Sequence, residues 1–341
     1  MGQSANSIDE SKNYSTVGSM VDQVASANTP SWRVPAEFAA ARLDVFVRHC
    51  LPHLSRRAID QAIGAKLFLL NGRAGKKGDR PVAGNNLIFA GPADWLAVQP
   101  PPAGQLDIAI VYEDAALLAL DKPAGVATHG FSARDGATVA NFIAARWPEL
   151  LKVGKSRWEP GLLHRLDVET SGLILIAKTQ AAFEHLRSQF RRREINKTYW
   201  ALVWGDAEAA GVIDFPLAHD TRDRRRMCVI RADLKVKRQR VWPALTRYRK
   251  LGTAGGLSLL EIQMATGVTH QIRVHLAALG HAILGDRMYG AQHKTTCGLQ
   301  RHFLHAKGLE FTHPSNDRAL KLDAELAPEL GEVLRRLGIK H

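Results

Sequence analysis

The sequence predicts an α+β protein, its larger part built on a mixed, largely antiparallel sheet and preceded by a small domain of two helices and a short sheet. Three observations carry this. In the last two thirds of the chain, short β-like runs outnumber helical ones and do not alternate with them in a βαβ rhythm. Two helical patterns and a hairpin signal crowd residues 42–90. Between these parts lies the proline-rich stretch AVQPPPAGQ at 97–105, which reads as an extended linker. The 341 residues are 45% hydrophobic, enough for packed cores without covalent staples.

Taken in order, residues 1–30 carry Ser, Asn, Asp and Thr with few large apolar side chains and are expected to form a disordered tail. The small domain, expected over 31–96, opens with Leu43, Phe46, Val47 and Cys50 at helical spacing. Ser55 can cap a second helix carrying Ala58, Ile59, Ala62 and Ile63, with Gly64 ending it. A strand over 67–70, the Asn71-Gly72 turn signal and a strand over 87–90 complete it. The larger domain is expected over 106–335. Its β-like segments are IAIVYED, LLALDKP, LILIAKT, KTYWALVWG, LSLLEIQMA and AILGD, and its helices read at TVANFIAARW, AAFEHLRSQFRRR and HQIRVHLAALG. Thr269 caps the last of these in this reading and Gly280 stops it. Its stripe of Ile272, Leu276 and Leu279 is buried, leaving His270 and Arg273 near an exposed first turn.

Charge narrows the partner. Lys and Arg number 46 against 33 Asp and Glu, a formal +13 that is the footprint of a polyanion binder. Nucleic acid is the expected partner, with an anionic membrane surface as the alternative. Cys50, Cys228 and Cys297 include no CxxC pair, so neither a disulfide framework nor a cysteine zinc site is expected, and a reducing cytoplasm fits. No apolar run reaches the roughly 20 residues of a membrane span, and the first residues lack the basic-then-apolar order of an export signal. GxGxxG and GxxxxGK[ST] strings are absent, and His270 and His275 do not have HExxH spacing. Neither a nucleotide cofactor nor a metal is expected.

Three polar knots interrupt the β pattern. GLLHRLDVETSGLILIAKT, residues 161–179, packs His164, Arg165, Asp167, Glu169, Thr170 and Ser171 ahead of an unbroken apolar run. Polar groups at the edge of a core must be paired or useful. Taken alone, Asp167 suits a cap or turn better than catalysis. KTYWALVWG puts Lys197 and Tyr199 on one strand face that Ala201 and Val203 continue, and Tyr199 alone would more often be core. TGVTHQIRVHLAALGHAILGD, residues 266–286, offers Arg273 as a partner for Asp167 if the fold brings them together. Arg191, Arg192 and Arg193 end a helix, where they complement its dipole whether or not they touch RNA. RDRRRMCVIRADLKVKRQR, residues 222–240, alternates like an exposed basic β ribbon suited to phosphates.

Together these strings resemble the RluA family of RNA pseudouridine synthases. HRLDVETSGLILIAK, KTYWALVWG, TGVTHQIRVHLAALGHAILGDRMYG, LALDKPAGVATHG and RHFLHAKGLEFTHP match its motifs, in family order over 111–314. Residues 42–71 look like an S4 RNA-binding domain, in Arg42-Leu43-Asp44, Ser55-Arg56-Arg57 and the turn Leu70-Asn71-Gly72. The resemblance implies cofactor-free isomerisation of uridine: the C1′–N1 bond is broken, the flipped base turns, and it is rejoined through C5. It implies Asp167 as the catalytic aspartate, Tyr199 stacked on the uracil and Arg273 paired with Asp167. RNA contacts are expected at Arg42, Ser55, Arg56, Arg57, His164, Arg165, Lys197, His270 and Gln271. An S4 domain ahead of this catalytic domain points to large-subunit ribosomal RNA over transfer RNA. Val268 stands where many relatives have the arginine of TGRTHQIR. Two other functions stay open: a non-catalytic RNA-binding ribosome-assembly factor, which loss of Asp167, Tyr199 or Arg273 would have favoured, and an RNA hydrolase, which one carboxylate serves poorly. A monomer is expected.

Overall fold

The computed structural model describes residues 29–130, 135–231, 240–293 and 295–340. The tail expected at 1–30 lies almost wholly outside the described residues, as does 232–239 of the basic ribbon. The chain divides between Gln99 and Pro100 into two compact units, with Asp135 grouped with the first.

The first unit contains β1 (Ser31–Arg33), α1 (Leu43–Cys50), α2 (Arg56–Gly64), β2 (Phe68–Leu70), β3 (Arg73–Ala74) and β4 (Asn86–Phe89), with the strands ordered β1-β4-β2-β3. The apolar spacing of the two helices buries Leu43, Phe46, Val47, Ala58, Ile59 and Ala62 against Phe68, Leu87 and Phe89. Ser55 Oγ accepts the Ala58 amide at 3.1 Å and caps α2. Gly64 is the last helical residue, not a left-handed stop; the positive φ, 61°, falls on Lys66. Asn71 and Gly72, at φ 49° and 78°, form the tight turn between β2 and β3.

The second unit runs β5 (Ala109–Glu113), β6 (Leu117–Lys122), α3 (Val139–Arg146), β7 (Ser171–Ala177), α4 (Gln180–Arg192), β8 (Asn196–Trp204), β9 (Ala210–Ile213), β10 (Leu217–His219), β11 (Met227–Val229), β12 (Val241–Trp242), β13 (Thr246–Ala254), β14 (Leu257–Met264), α5 (Gln271–Ala278), β15 (Leu304–Thr312), β16 (Ala319–Asp323) and α6 (Pro328–Leu337). Among the described residues, nine strands form one sheet, ordered β5-β6-β7-β15-β8-β14-β13-β9, with β16 beside β15. Of these strands only β7 and β15 pair in parallel, so the sheet is mixed and largely antiparallel, as expected. The unbroken apolar run of β7 follows from cover on both faces. Ile174 and Ile176 pack with Val139 and Ile143 of α3, while Leu173 and Leu175 pack with Leu186 of α4.

A three-stranded sheet, β11-β10-β12, packs Leu217 and Met227 against Val274 of α5 and against Val268. Only three residues of the expected basic ribbon, in β11, form a strand among the described residues. AILGD is not a strand. Ile283 makes one bridge to Val203 and the chain then turns at Gly285, φ 78°, where a Cβ would run into the Arg301 carbonyl. α5 also differs from expectation. Thr269 does not cap it: His270 occupies the cap position in left-handed conformation, φ 56°, without a side-chain capping bond. Leu279 is exposed, whereas Arg273 and His275 are buried, because α5 is covered by the large sheet and by the small one. No helix among the described residues is long and apolar enough to cross a membrane.

Candidate active site

The loop entering β7 is fastened through its backbone at successive residues. Thr128 Oγ1 donates to the Leu166 carbonyl and accepts the Leu166 amide, at 3.0 and 3.1 Å. The Val168 carbonyl accepts from the Gly125 amide and from Lys122 Nζ, and the Thr170 amide donates to the Asp167 carbonyl. Lys122 is fully buried and also donates to the carbonyls of Pro123 and Val126. Burial pushes its ammonium down to about 7, yet three carbonyl acceptors require three donated protons, which only the ammonium has. The LDKPAGVATH segment therefore braces the turn that presents Asp167.

Asp167 meets Arg273 from α5. Arg273 Nη1 donates to Asp167 Oδ2 at 3.0 Å, while Nε and Nη2 grip Asp286 bidentately at 2.7 and 3.0 Å. Asp286 Oδ1 also accepts the Met288 and Tyr289 amides, which anchors the clamp in the turn after AILGD. Arg273 is 8% exposed and Asp286 3%, so the pair sits where charge is costly unless matched. Burial opposes ionisation of Asp286, but the guanidinium and the Tyr289 amide hold its carboxyl below the usual range. Asp167 has a side chain 21% exposed, and its Oδ1 makes no hydrogen bond among the described residues. One carboxylate oxygen is thus held by a fixed cation while the other stays available.

Around Asp167 lies an open cleft of about 530 Å³, whose walls include Leu166, Tyr199, Met264, Ile272 and Leu304. Tyr199, on β8 between Ile262 and Ala306, is buried, and burial together with the Asp167 charge raises its phenol so that it stays neutral. His270 Nε2 stands 3.8 Å from Asp167 Oδ2. Its Nδ1 lies 2.9 Å from the Tyr289 hydroxyl, whose oxygen accepts the Met227 amide, an arrangement that favours the Nε2–H tautomer. Burial lowers the His270 pKa. A slot of mixed lining with an aromatic wall, a buried cation and one free carboxylate oxygen suits a planar heterocycle whose reacting atoms develop charge beside Asp167.

The structure brings Asp167, Tyr199, Arg273, His270 and Arg165 to one cleft. Lys197 lies beyond Tyr199; its Nζ donates to the Thr266 carbonyl, and burial pushes it down to about 8. Two residues expected to touch RNA line the clefts and also make internal hydrogen bonds. Gln271 donates to the Leu245 carbonyl and Thr246 Oγ1 and accepts from the Val268 amide and Thr266 Oγ1, which uses its amide fully to lock the turn into α5. His164 Nε2 accepts the Leu175 amide of β7, and burial pushes it down to about 3, so it is a neutral acceptor. In the first unit Ser55 is occupied as a cap, Arg42 pairs with Asp44 at 2.9 Å, and Arg56 and Arg57 are exposed. Sequence reasoning missed Asp286, Lys122 and Thr128 as parts of the site; an isolated Asp after Gly and a Lys before Pro read as ordinary turn residues.

The motif of RNA pseudouridylate synthases matches residues 116–278. Over 309 residues the chain is 39% identical to a Chloroflexus aurantiacus protein named an uncharacterized RNA pseudouridine synthase, covering 89% of this chain and 92% of that one. It is 32% identical over 317 residues to the ribosomal large subunit pseudouridine synthase D of Nitrosomonas europaea, covering 91% and 88%. Among solved structures, human RNA pseudouridylate synthase domain containing 4 superposes with a TM-score of 0.54 at 27% identity, covering 68% of this chain and 94% of that chain.

Proposed function

Since this chain belongs to the RluA family of RNA pseudouridine synthases and so isomerises uridine in RNA, we propose that its substrate is large-subunit ribosomal RNA and that turnover depends on Asp167. The observation that carries the site is the Asp167–Arg273–Asp286 array, in which a buried guanidinium fixes one oxygen of Asp167 and leaves the other free toward the cleft. The reaction is redox-neutral: the C1′–N1 bond breaks, a C1′–C5 bond forms, the C5 proton is lost and N1 gains one. An ionised Asp167 assists charge development at the sugar or base, Tyr199 stacks on the uracil, and the target nucleotide leaves its stack to enter. Arg165, Lys197 and His270 contact the surrounding RNA.

The ribosomal assignment draws on relatives named ribosomal large subunit pseudouridine synthase D, three of which are 30% to 34% identical to this chain. Residues 31–96 act as an S4-like RNA-binding domain in this reading, 97–105 as a linker and 106–335 as the catalytic domain. Exposed Arg56 and Arg57 at the start of α2 would hold phosphates. The test is tritium release from transcripts labelled at uridine C5, comparing large-subunit ribosomal RNA with transfer RNA. Release from the ribosomal transcript alone supports the proposal; release from transfer RNA alone overturns the substrate assignment.

A further inference from the structure

A second cleft adjoins the first and shares a wall with it: Arg165, Tyr199, Met264, Gly267 and Val268 line both. At about 1010 Å³ it is the larger of the two. Its remaining lining brings together Arg191 and Arg193 at the end of α4 and Lys197 on β8. Among the described residues no carboxylate lies within ion-pair distance of Arg165, Arg191, Arg193 or Lys197, although neighbouring Arg192 has Glu194 at 2.7 Å. Arginines in a last helical turn complement the helix dipole. That accounts for Arg191 and Arg192, but not for cations from β8 and the Asp167 loop converging on the same cavity. Lys197 is 8% exposed and spends one proton on the Thr266 carbonyl, a costly place for an ammonium with no anion near it.

We propose that this cleft is a second nucleotide subsite, in which a backbone phosphate flanking the isomerised uridine is held by Arg191, Arg193 and Lys197. The inference rests on the chain acting on RNA and adds where the strand leaves the reacting nucleotide. Continuity of the wall at Tyr199 means a strand with its base against Tyr199 extends directly into the second cleft. Guanidinium and ammonium groups with no carboxylate in ion-pair distance select a phosphodiester over a carboxylate-rich or neutral partner. Val268, apolar and packed against the small sheet, adds no charge to the shared wall.

The test compares Arg191→Gln/Arg193→Gln with Arg192→Gln, which alters the same exposed helix end outside the cleft. With the C5-tritiated transcript that wild type turns over, the double variant should raise KM roughly tenfold with kcat within about twofold. It should also reduce the slope of log KM against log salt by about 0.7 per lost phosphate contact. Melting temperature should match wild type, since both side chains are exposed. A KM and salt slope no different from Arg192→Gln would overturn the subsite. If wild type turned over no RNA, the catalytic reading would fail separately. The same comparison would then be run by fluorescence anisotropy on a labelled uridine-rich single strand, where equal affinities of the two variants would again overturn the proposal.

Discussion

Replacing Asp286 by Asn should cost roughly 3–5 kcal/mol, the range for removing one partner of a buried ion pair. Asp286 is 3% exposed and Arg273 8%, so water cannot take over the lost charge. The substituted amide keeps one oxygen for the Met288 and Tyr289 amides that Asp286 Oδ1 accepts, but turns an NH2 group toward a guanidinium that offers only donors. Arg273 would keep its 3.0 Å bonds to Asp167 and to that oxygen but lose the 2.7 Å Nε bond, and its planar group would no longer be gripped bidentately from behind. At about 2–4 °C per kcal/mol for a unit of this size, the melting temperature should fall by roughly 10 °C. Turnover should fall at least tenfold, with KM for RNA changing far less, because the lost contact orients Asp167 and does not touch RNA. Circular-dichroism melting and C5-tritium release read the two effects. A variant that melts within about 2 °C of wild type and keeps half its kcat would refute the clamp.

Gly172→Ala should cost roughly 3 kcal/mol or more, because Gly172 sits at φ 110° and a Cβ would strike the Ala306 backbone where β7 meets β15; urea unfolding checks this. Arg56→Ala/Arg57→Ala should weaken RNA affinity and flatten its salt dependence while leaving kcat at saturating RNA unchanged, as binding across a salt series would show. RNA affinity should fall as pH rises through about 8, because burial pushes Lys197 to that value and the side chain is cationic below it and neutral above; the step should vanish in Lys197→Gln.

Much of this architecture was legible where side-chain periodicity was clean. α1 and α2 carry an unambiguous apolar stripe, and Ser55 and Asn71-Gly72 mark a cap and a turn by local chemistry alone. β15 escaped because His305, Lys307 and Glu310 punctuate it and its register shifts between Ala306 and Gly308. The two histidines near its start, His302 and His305, are buried because Thr170 and Ser171 pair with them, a long-range match no local pattern reveals. β13 escaped as well: Thr246 and Tyr248 face inward and Arg247 and Arg249 outward, but the bulge near Lys250 breaks the alternation. At the site, the sequence offered Asp167 and Arg273 as partners. Burial of Arg273 against Asp286 could not be read, because the amphipathic pattern of α5 assumed one covered face where the fold covers two. The internal bonds of Gln271 and His164 could not be read for a related reason: the backbone amides they satisfy lie at positions no local pattern reveals.

The central claim, that Asp167 performs the chemistry from a scaffold that does not need it, is tested most directly by Asp167→Asn. C5-tritium release from the ribosomal transcript would be measured alongside the melting curve. Arg273 keeps its two bonds to Asp286, and the amide oxygen of the substituted side chain can still accept from Nη1, so the melting temperature should stay within about 2 °C of wild type while release falls to background. Release within about tenfold of wild type from a fully folded variant would contradict the account.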